Sequence, residues 1–265
     1  MVYCQLAPEE LGEKIMHRSL VLAATCAIIS VQVASAADMP TKAPAYAPVA
    51  PMVYNWTGFY IGAHAGYGWG TLTSTATSAS ASFPDGFVFD DTHEKGPLGG
   101  GQLGYNYQIG QFVLGIEGEL SWSGIDGDET STNPANARYA MTHTKLPWIA
   151  DVAGRAGYAW NNWLLFAKGG AVWTHVDADS TTYSGAGAVL GTASGSENRS
   201  GWLIGGGAEW GFAAHWSAKL EYNYMDFGTT NVARNVLTGA SAGTTNYRDQ
   251  NLKLNVIKVG LNYRF

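Results

Sequence analysis

The last nine residues, Ile257-Lys258-Val259-Gly260-Leu261-Asn262-Tyr263-Arg264-Phe265, alternate between apolar and polar and stop on an aromatic. A period of two marks a β-strand with one face in an apolar medium and the other in a polar one. The same alternation recurs upstream over 57–69, 99–107, 112–122, 146–158, 165–173, 202–210 and 216–224. Its apolar faces carry residues such as Ile61, Leu103, Ile116, Leu146, Ala167, Ile204 and Leu220. Eight strands are therefore predicted, joined alternately by short and long connections. Short turns fall near 108–111, 160–163 and 213–215, while polar stretches rich in Ser, Thr, Ala, Gly and Asp cover roughly 71–95, 123–144, 174–200 and 228–251.

Aromatics bracket these strands at even separations, so each pair shares a face. Phe59 and Trp69, Phe112 and Trp122, and Trp148 and Tyr158 are ten residues apart; Trp202 and Trp210, and Trp216 and Tyr224, are eight apart. Ten residues at about 3.3 Å reach roughly 33 Å along a strand. Tilted by about 40°, that becomes roughly 25 Å along the membrane normal, the height of the apolar band between the aromatic girdles of a transmembrane barrel. The expected fold class is all-β: an eight-stranded antiparallel up-and-down transmembrane β-barrel with short periplasmic turns and four long extracellular loops. No stretch beyond residue 36 is apolar enough for a spanning helix. Residence in a membrane would then be as a closed barrel, which leaves no unpaired backbone in lipid. Glycine, 34 of 265 residues, falls inside strands, as at Gly58, Gly62, Gly66 and Gly68 on the inner face of the first. Inward glycines leave room in a narrow lumen.

His17 and Arg18, an apolar run over 20–33, and Ala34-Ser35-Ala36 have the layout of a secretory signal peptide over 1–36, with cleavage expected after Ala36 and, as second choice, after Ala37. The run is short of the ~20 residues a spanning helix needs. Glu9, Glu10 and Glu13 do not suit a leader, and Met16 fits its start better, so residues 1–15 read as an upstream extension. Residues 37–55, with Pro40, Pro44, Pro48 and Pro51 among alanines, read as an extended periplasmic tether, and 56–265 as the barrel. Cys4 and Cys26 both lie in the segment expected to be removed, so no disulfide is expected in the exported chain. Removing residues 1–36 takes two bases and three acids from totals of 15 and 21, leaving 13 against 18 and a net charge of −5. That balance argues against nucleic acid as a partner, for which a basic patch is the footprint.

The inner faces hold Glu117, Glu119, Asp151, Glu209 and Glu221 against Arg155, Lys168, Lys219, Lys258 and Arg264, five acids against five bases. An eight-stranded barrel has an interior just wide enough for side chains to fill. Pairing across the lumen is therefore expected, as a plug of salt bridges; a narrow passive channel is the alternative. His64 faces inward and is expected to be a hydrogen-bonded lumen residue. His93, His143 and His175 lie in the long polar stretches, with Tyr139 and Tyr183 nearby in sequence, and are candidates for haem iron, although they follow no spacing rule. Asp90-Asp91, Asp126 with Asp128, and Asp177 with Asp179 lack the ligand spacing of a calcium loop, so no metal site is expected. An enzyme would need a nucleophile and a base at the rim. The polar stretches offer serines near His93 but are read as holding no Gly-x-Ser-x-Gly string and no arrangement that singles one out, so neither catalysis nor a cofactor is expected.

Several strings carry a resemblance: Trp56-Thr57-Gly58-Phe59-Tyr60-Ile61-Gly62, Gly205-Gly206-Gly207-Ala208-Glu209, Lys219-Leu220-Glu221-Tyr222, the terminal Tyr263-Arg264-Phe265, and Ala37-Asp38-Met39-Pro40 after the leader. Over 56–265 the chain resembles the small outer-membrane β-barrel surface proteins of alphaproteobacteria, the major surface antigens, opacity-type and haemin-binding proteins often labelled "porin family". The resemblance implies an eight-stranded barrel in the outer membrane of a Gram-negative bacterium, with envelope-structural and surface roles, haemin binding in some members, and no catalytic motif. It also implies that the barrel-assembly machinery reads the C-terminal apolar face of Ile257, Val259, Leu261, Tyr263 and Phe265. The implied partners are outer-membrane lipid and lipopolysaccharide and that machinery, with haemin or a host-surface ligand left open.

Overall fold

The computed structural model describes residues 54–265 apart from Ala79 and Ala81. The expected signal peptide, its expected cleavage site and the expected tether as far as residue 53 lie outside the described residues. Eight strands follow in order: β1 (Gly58–Ala76), β2 (Thr92–Ile109), β3 (Phe112–Asn133), β4 (Arg138–Trp160), β5 (Trp163–Tyr183), β6 (Val189–Ala213), β7 (Trp216–Val236) and β8 (Thr245–Arg264). Each pairs antiparallel with the next, and β8 returns to β1 from Tyr60↔Arg264 to Ala76↔Arg248, closing an up-and-down barrel. Closure removes the free strand edges that an open sheet would present. Phe59, Ile61, Leu103, Ile116, Leu165, Ile204, Leu220 and Val259 are exposed on its outside, while the charged and polar residues of the spanning strands lie inside, together with buried apolar clusters. A wide apolar exterior around such an interior matches a barrel in lipid, where the solvent is outside.

The short turns fall where the sequence places them. Ile109↔Phe112 and Trp160↔Trp163 close two-residue connections, whose first residues, Gly110 and Asn161, take positive φ of 62° and 53°. Glycine adopts that region freely and asparagine tolerates it better than most residues. On the inner face, a Cβ on Gly62 would run into Asn262 Oδ1 and the Leu261 carbonyl. Any larger residue there would push β8 away from β1.

The long polar stretches are not loops for most of their length. Strands of 18 to 25 residues exceed the ~9–11 that a membrane requires. The true connections shrink to 77–91, 134–137, 184–188 and 237–244. Above the membrane the outer face of the wall is wet, so no apolar medium imposes alternation, yet the backbone still pairs, as from Lys145↔Asp177 to Tyr139↔Tyr183. Bulges reset which side faces inward. In β4 the register slips between Lys145 and Ile149, around Pro147, so Leu146 points into the lumen and is buried, not on the lipid face where unbroken alternation puts it. Proline cannot donate to the ladder and favours such a site. In β7 the slip lies between Asp226 and Thr229, where Gly228 takes φ of 63° and donates its N–H to Asp226 Oδ1 at 2.8 Å.

Candidate functional site

Parity decides which side chains enter the lumen. Odd residues of β3 and β6, and of β4 and β7 below their bulges, point inward, as do even residues of β5 and β8. Ten charged groups converge as a result: Glu117, Glu119, Asp151, Arg155, Lys168, Glu209, Lys219, Glu221, Lys258 and Arg264, none more than 4% exposed. They pair across the lumen. Lys219 Nζ lies 2.8 Å from Glu119, 2.9 Å from Glu221 and 3.1 Å from Glu117. Lys168 Nζ lies 2.8 Å from Glu221, 3.2 Å from Glu119 and 3.6 Å from Asp151. Lys258 meets Glu119, and also Glu221 at 3.4 Å. Nearer the periplasm, Arg155 bridges Glu209 at 2.8 Å and Glu117 at 3.4 Å, and Arg264 approaches Glu209 at 3.7 Å.

Neutral groups complete the layer. Tyr60 donates its O–H to Glu117 at 2.8 Å. His64 bonds Gln102 through Nδ1 and Ser121 through Nε2. Gln102 Nε2 donates to Asn262 Oδ1 at 2.7 Å, and Asn262 Nδ2 donates to Glu209 at 3.0 Å. The carboxylates of Glu117, Glu119 and Glu221 offer oxygens within 4.8 Å of one another, a spacing that a divalent cation could bridge. The ammonium groups of Lys168, Lys219 and Lys258 already supply positive charge there, so a cation would have to displace them.

Two apolar layers flank the charges. Towards the periplasm Tyr54, Trp56, Val113, Ala159, Leu164 and Phe166 form one cluster. Tyr54, at the end of the segment read as a free tether, is packed 4.5 Å from the Trp56 ring and only 6% exposed. The Arg264 guanidinium lies against both rings, 5.3 and 4.9 Å from their centroids. Towards the outside an aliphatic layer that includes Leu72, Leu146, Val172, Leu203, Met225 and Leu254 spans the lumen. Sequence reasoning counted inward charges and missed this layer. Its signal was present: Leu252, Leu254 and Val256 alternate in phase with inward Lys258, so that stretch of β8 is apolar on the lumen face.

Beside the aliphatic layer and beyond it the wall also carries buried inward charges, Glu94, Arg199, Arg234 and Arg248. These were missed because their segments read as loops. Glu94 sits opposite Gly70, one step beyond Trp69, and neither of its carboxylate oxygens has a hydrogen-bond partner. Burial, with Asp126, Glu129 and Asp128 adding to it, pushes its carboxyl up to about 8. An unfolded glutamate releases its proton near pH 4.5, whereas the folded one holds it to about 8. Stability therefore falls as pH rises across that window, and the penalty is complete above it. Glu94→Gln is expected to match wild type at pH 4 and to exceed it by on the order of 2 kcal/mol at pH 9. Urea unfolding in lipid vesicles at the two pH values checks this, and equal stability at pH 9 would sink it.

The three candidate haem histidines are not gathered. His93 is exposed on the outer face of β2. His143, on β4, meets Asp128 at 2.8 Å; His175, on β5, bonds Asn198 at 2.7 Å and lies 3.2 Å from Asp177. Tyr139 and Tyr183 stack on each other with centroids 4.9 Å apart. Among the described residues no cluster of metal-ligating side chains includes these histidines. The string Gly239-Ala240-Ser241-Ala242-Gly243 spells Gly-x-Ser-x-Gly, which the sequence reading passed over. It lies in the β7–β8 connection, where the Ser241 carbonyl accepts from Thr244, and lacks the strand-to-helix setting that exposes a nucleophile.

A closed barrel with an apolar wall, aromatic girdles and a filled charged interior is an integral outer-membrane β-barrel. The sequence matches the family described as outer membrane protein beta-barrel domain over residues 23–265, and the chain belongs to that family. The 31 kDa outer-membrane immunogenic protein of Brucella melitensis biotype 1 is 30% identical over 254 residues, 94% of this chain and 100% of the relative. The 22 kDa outer membrane protein of Rhizobium leguminosarum bv. viciae is 30% identical over 181 residues, 68% of each chain. These relatives place the chain in the outer membrane and among small alphaproteobacterial barrels. Solved structures resemble it in fold alone. The outer membrane protein OprG from Pseudomonas aeruginosa covers 80% of this chain and 98% of its own at 14% identity, with a TM-score of 0.45.

Proposed function

We propose that the protein is a structural and surface component of the outer membrane whose lumen is sealed, without enzymatic activity. The observation that carries this reading is the stack of three filled layers in the lumen: the cluster around Trp56, the ion-paired network around Lys219, and the aliphatic layer around Leu254. Charges at the centre of a pore favour ion passage only when water can reach them. Here the charges engage one another, and side chains that exclude water lie above and below. The strands continue well past the outer girdle and present a polar wall to lipopolysaccharide and the exterior. The name of the Brucella relatives, immunogenic proteins, agrees with a role at the surface. The outward face of Ile257, Val259, Leu261, Tyr263 and Phe265 serves in this reading as the signal for assembly.

Planar-bilayer recording on the refolded barrel tests the seal. The expected trace is silent or shows small, intermittent openings. A large, steady conductance would overturn the seal and favour a narrow diffusion channel.

A further inference from the structure

Between the aliphatic layer and the extracellular rim the barrel holds a cavity of about 180 Å³. Arg234 of β7 and Arg248 of β8 line it. Their strands are neighbours, with Val232 opposite Arg248 and Arg234 opposite Asn246. Arg234 is 1% exposed, and among the described residues none of its three guanidinium nitrogens has a hydrogen-bond partner. Arg248 is 9% exposed; its Nη1 is equally unpartnered, and the group lies 3.7 Å from the centroid of the Phe89 ring. Burial draws Arg234 down to about 10 and Arg248 to about 9, and for Arg248 the nearby Arg234 adds to the effect.

Two buried cations with unfilled donors side by side are costly unless something answers them. Three acids act on Arg234 from a distance without hydrogen-bonding it, and of these Asp179 is exposed on the outer face of β5. Glu129 accepts from Thr92 and Ser131, and Glu197 is taken by Arg199. Hydroxyls complete the wall, among them Ser78, Ser180, Thr182 and Thr192. Guanidinium forks match the oxygen geometry of phosphate-type anions, and hydroxyl donors suit the remaining oxygens. A water takes about 30 Å³ of liquid volume, so the space accepts a tetrahedral oxyanion, and the bulk of a saccharide bearing one would have to lie outside it.

We propose that this cavity binds a tetrahedral oxyanion of the phosphate or sulfate type, either free or as the charged end of a saccharide, through Arg234 and Arg248. The cavity lies inside the barrel wall, apart from the phosphates of the surrounding lipid. A ligand therefore comes from the external medium.

Isothermal titration of the full-length folded barrel in detergent micelles provides the test, with inorganic phosphate and glucose 1-phosphate as probes at constant ionic strength. Both should bind saturably at one site per barrel, and phosphate should raise the thermal unfolding midpoint where matched chloride does not. Arg234→Met and Arg248→Met should each weaken binding at least tenfold. Because each removes a buried unpaired charge, neither should lower the midpoint measured without phosphate, which separates lost binding from lost folding. Tighter binding of glucose 1-phosphate than of phosphate supports a saccharide-borne group; equal binding supports the free anion. No saturable binding of either probe to wild type, or unchanged binding in both variants, overturns the site. None of these outcomes bears on whether the lumen conducts.

Discussion

Lys219→Met is expected to lower the stability of the folded barrel by about 3–5 kcal/mol, the range for removing one partner from a buried ionic cluster. Lys219 Nζ stands between Glu117, Glu119 and Glu221, within 3.1 Å of each. Methionine keeps most of the volume, so the loss measures charge, not packing. Once Lys219 is gone, Lys168 and Lys258 face those three carboxylates and Asp151 alone, because Arg155 is shared with Glu209. Water is kept out on both sides by apolar layers, so the unpaired charge cannot be solvated cheaply. Adding Glu119→Gln to Lys219→Met should recover part of the loss, and the coupling in that double-mutant cycle isolates the pair. Reversible urea unfolding in lipid vesicles supplies the numbers. A loss under about 1 kcal/mol, the level of a solvated pair, would show that water reaches the network, and the sealed lumen would fall with it.

Ala167→Arg should cost about 2–4 kcal/mol, the penalty for arginine near the midplane of the lipid face of a barrel. Ala167 is exposed on β5, opposite Ala156 and Gly206, and sits between Trp163 and Trp173 of the two girdles. Its neighbour Phe166 points into the lumen, 7% exposed. Ala167→Leu occupies the same position without a charge and should refold in lipid vesicles like wild type. The difference between the two variants reads the membrane environment directly. Equal folding of Ala167→Arg and Ala167→Leu would mean that this face does not meet hydrocarbon.

Within the lipid band the sequence alone determined the strand number, the turns, the parity of each strand and hence the ten lumen charges. The reason is physical: hydrocarbon on one side and a crowded lumen on the other force strict alternation, and alternation can be read one residue at a time. Above the band that constraint lapses. Segments such as 127–133 and 179–183 alternate no apolar signal, and only pairing with a neighbouring strand reveals them as wall. Bulges at Pro147 and Gly228 reverse facing locally, so Leu146 changed sides and Arg234 came inward, which no fixed period foretells. The tertiary structure decided the rest. Whether Glu119 meets Lys219 and Lys258, or Arg234 stands without a partner, depends on which strands face each other across the lumen, and that is set by closure and register.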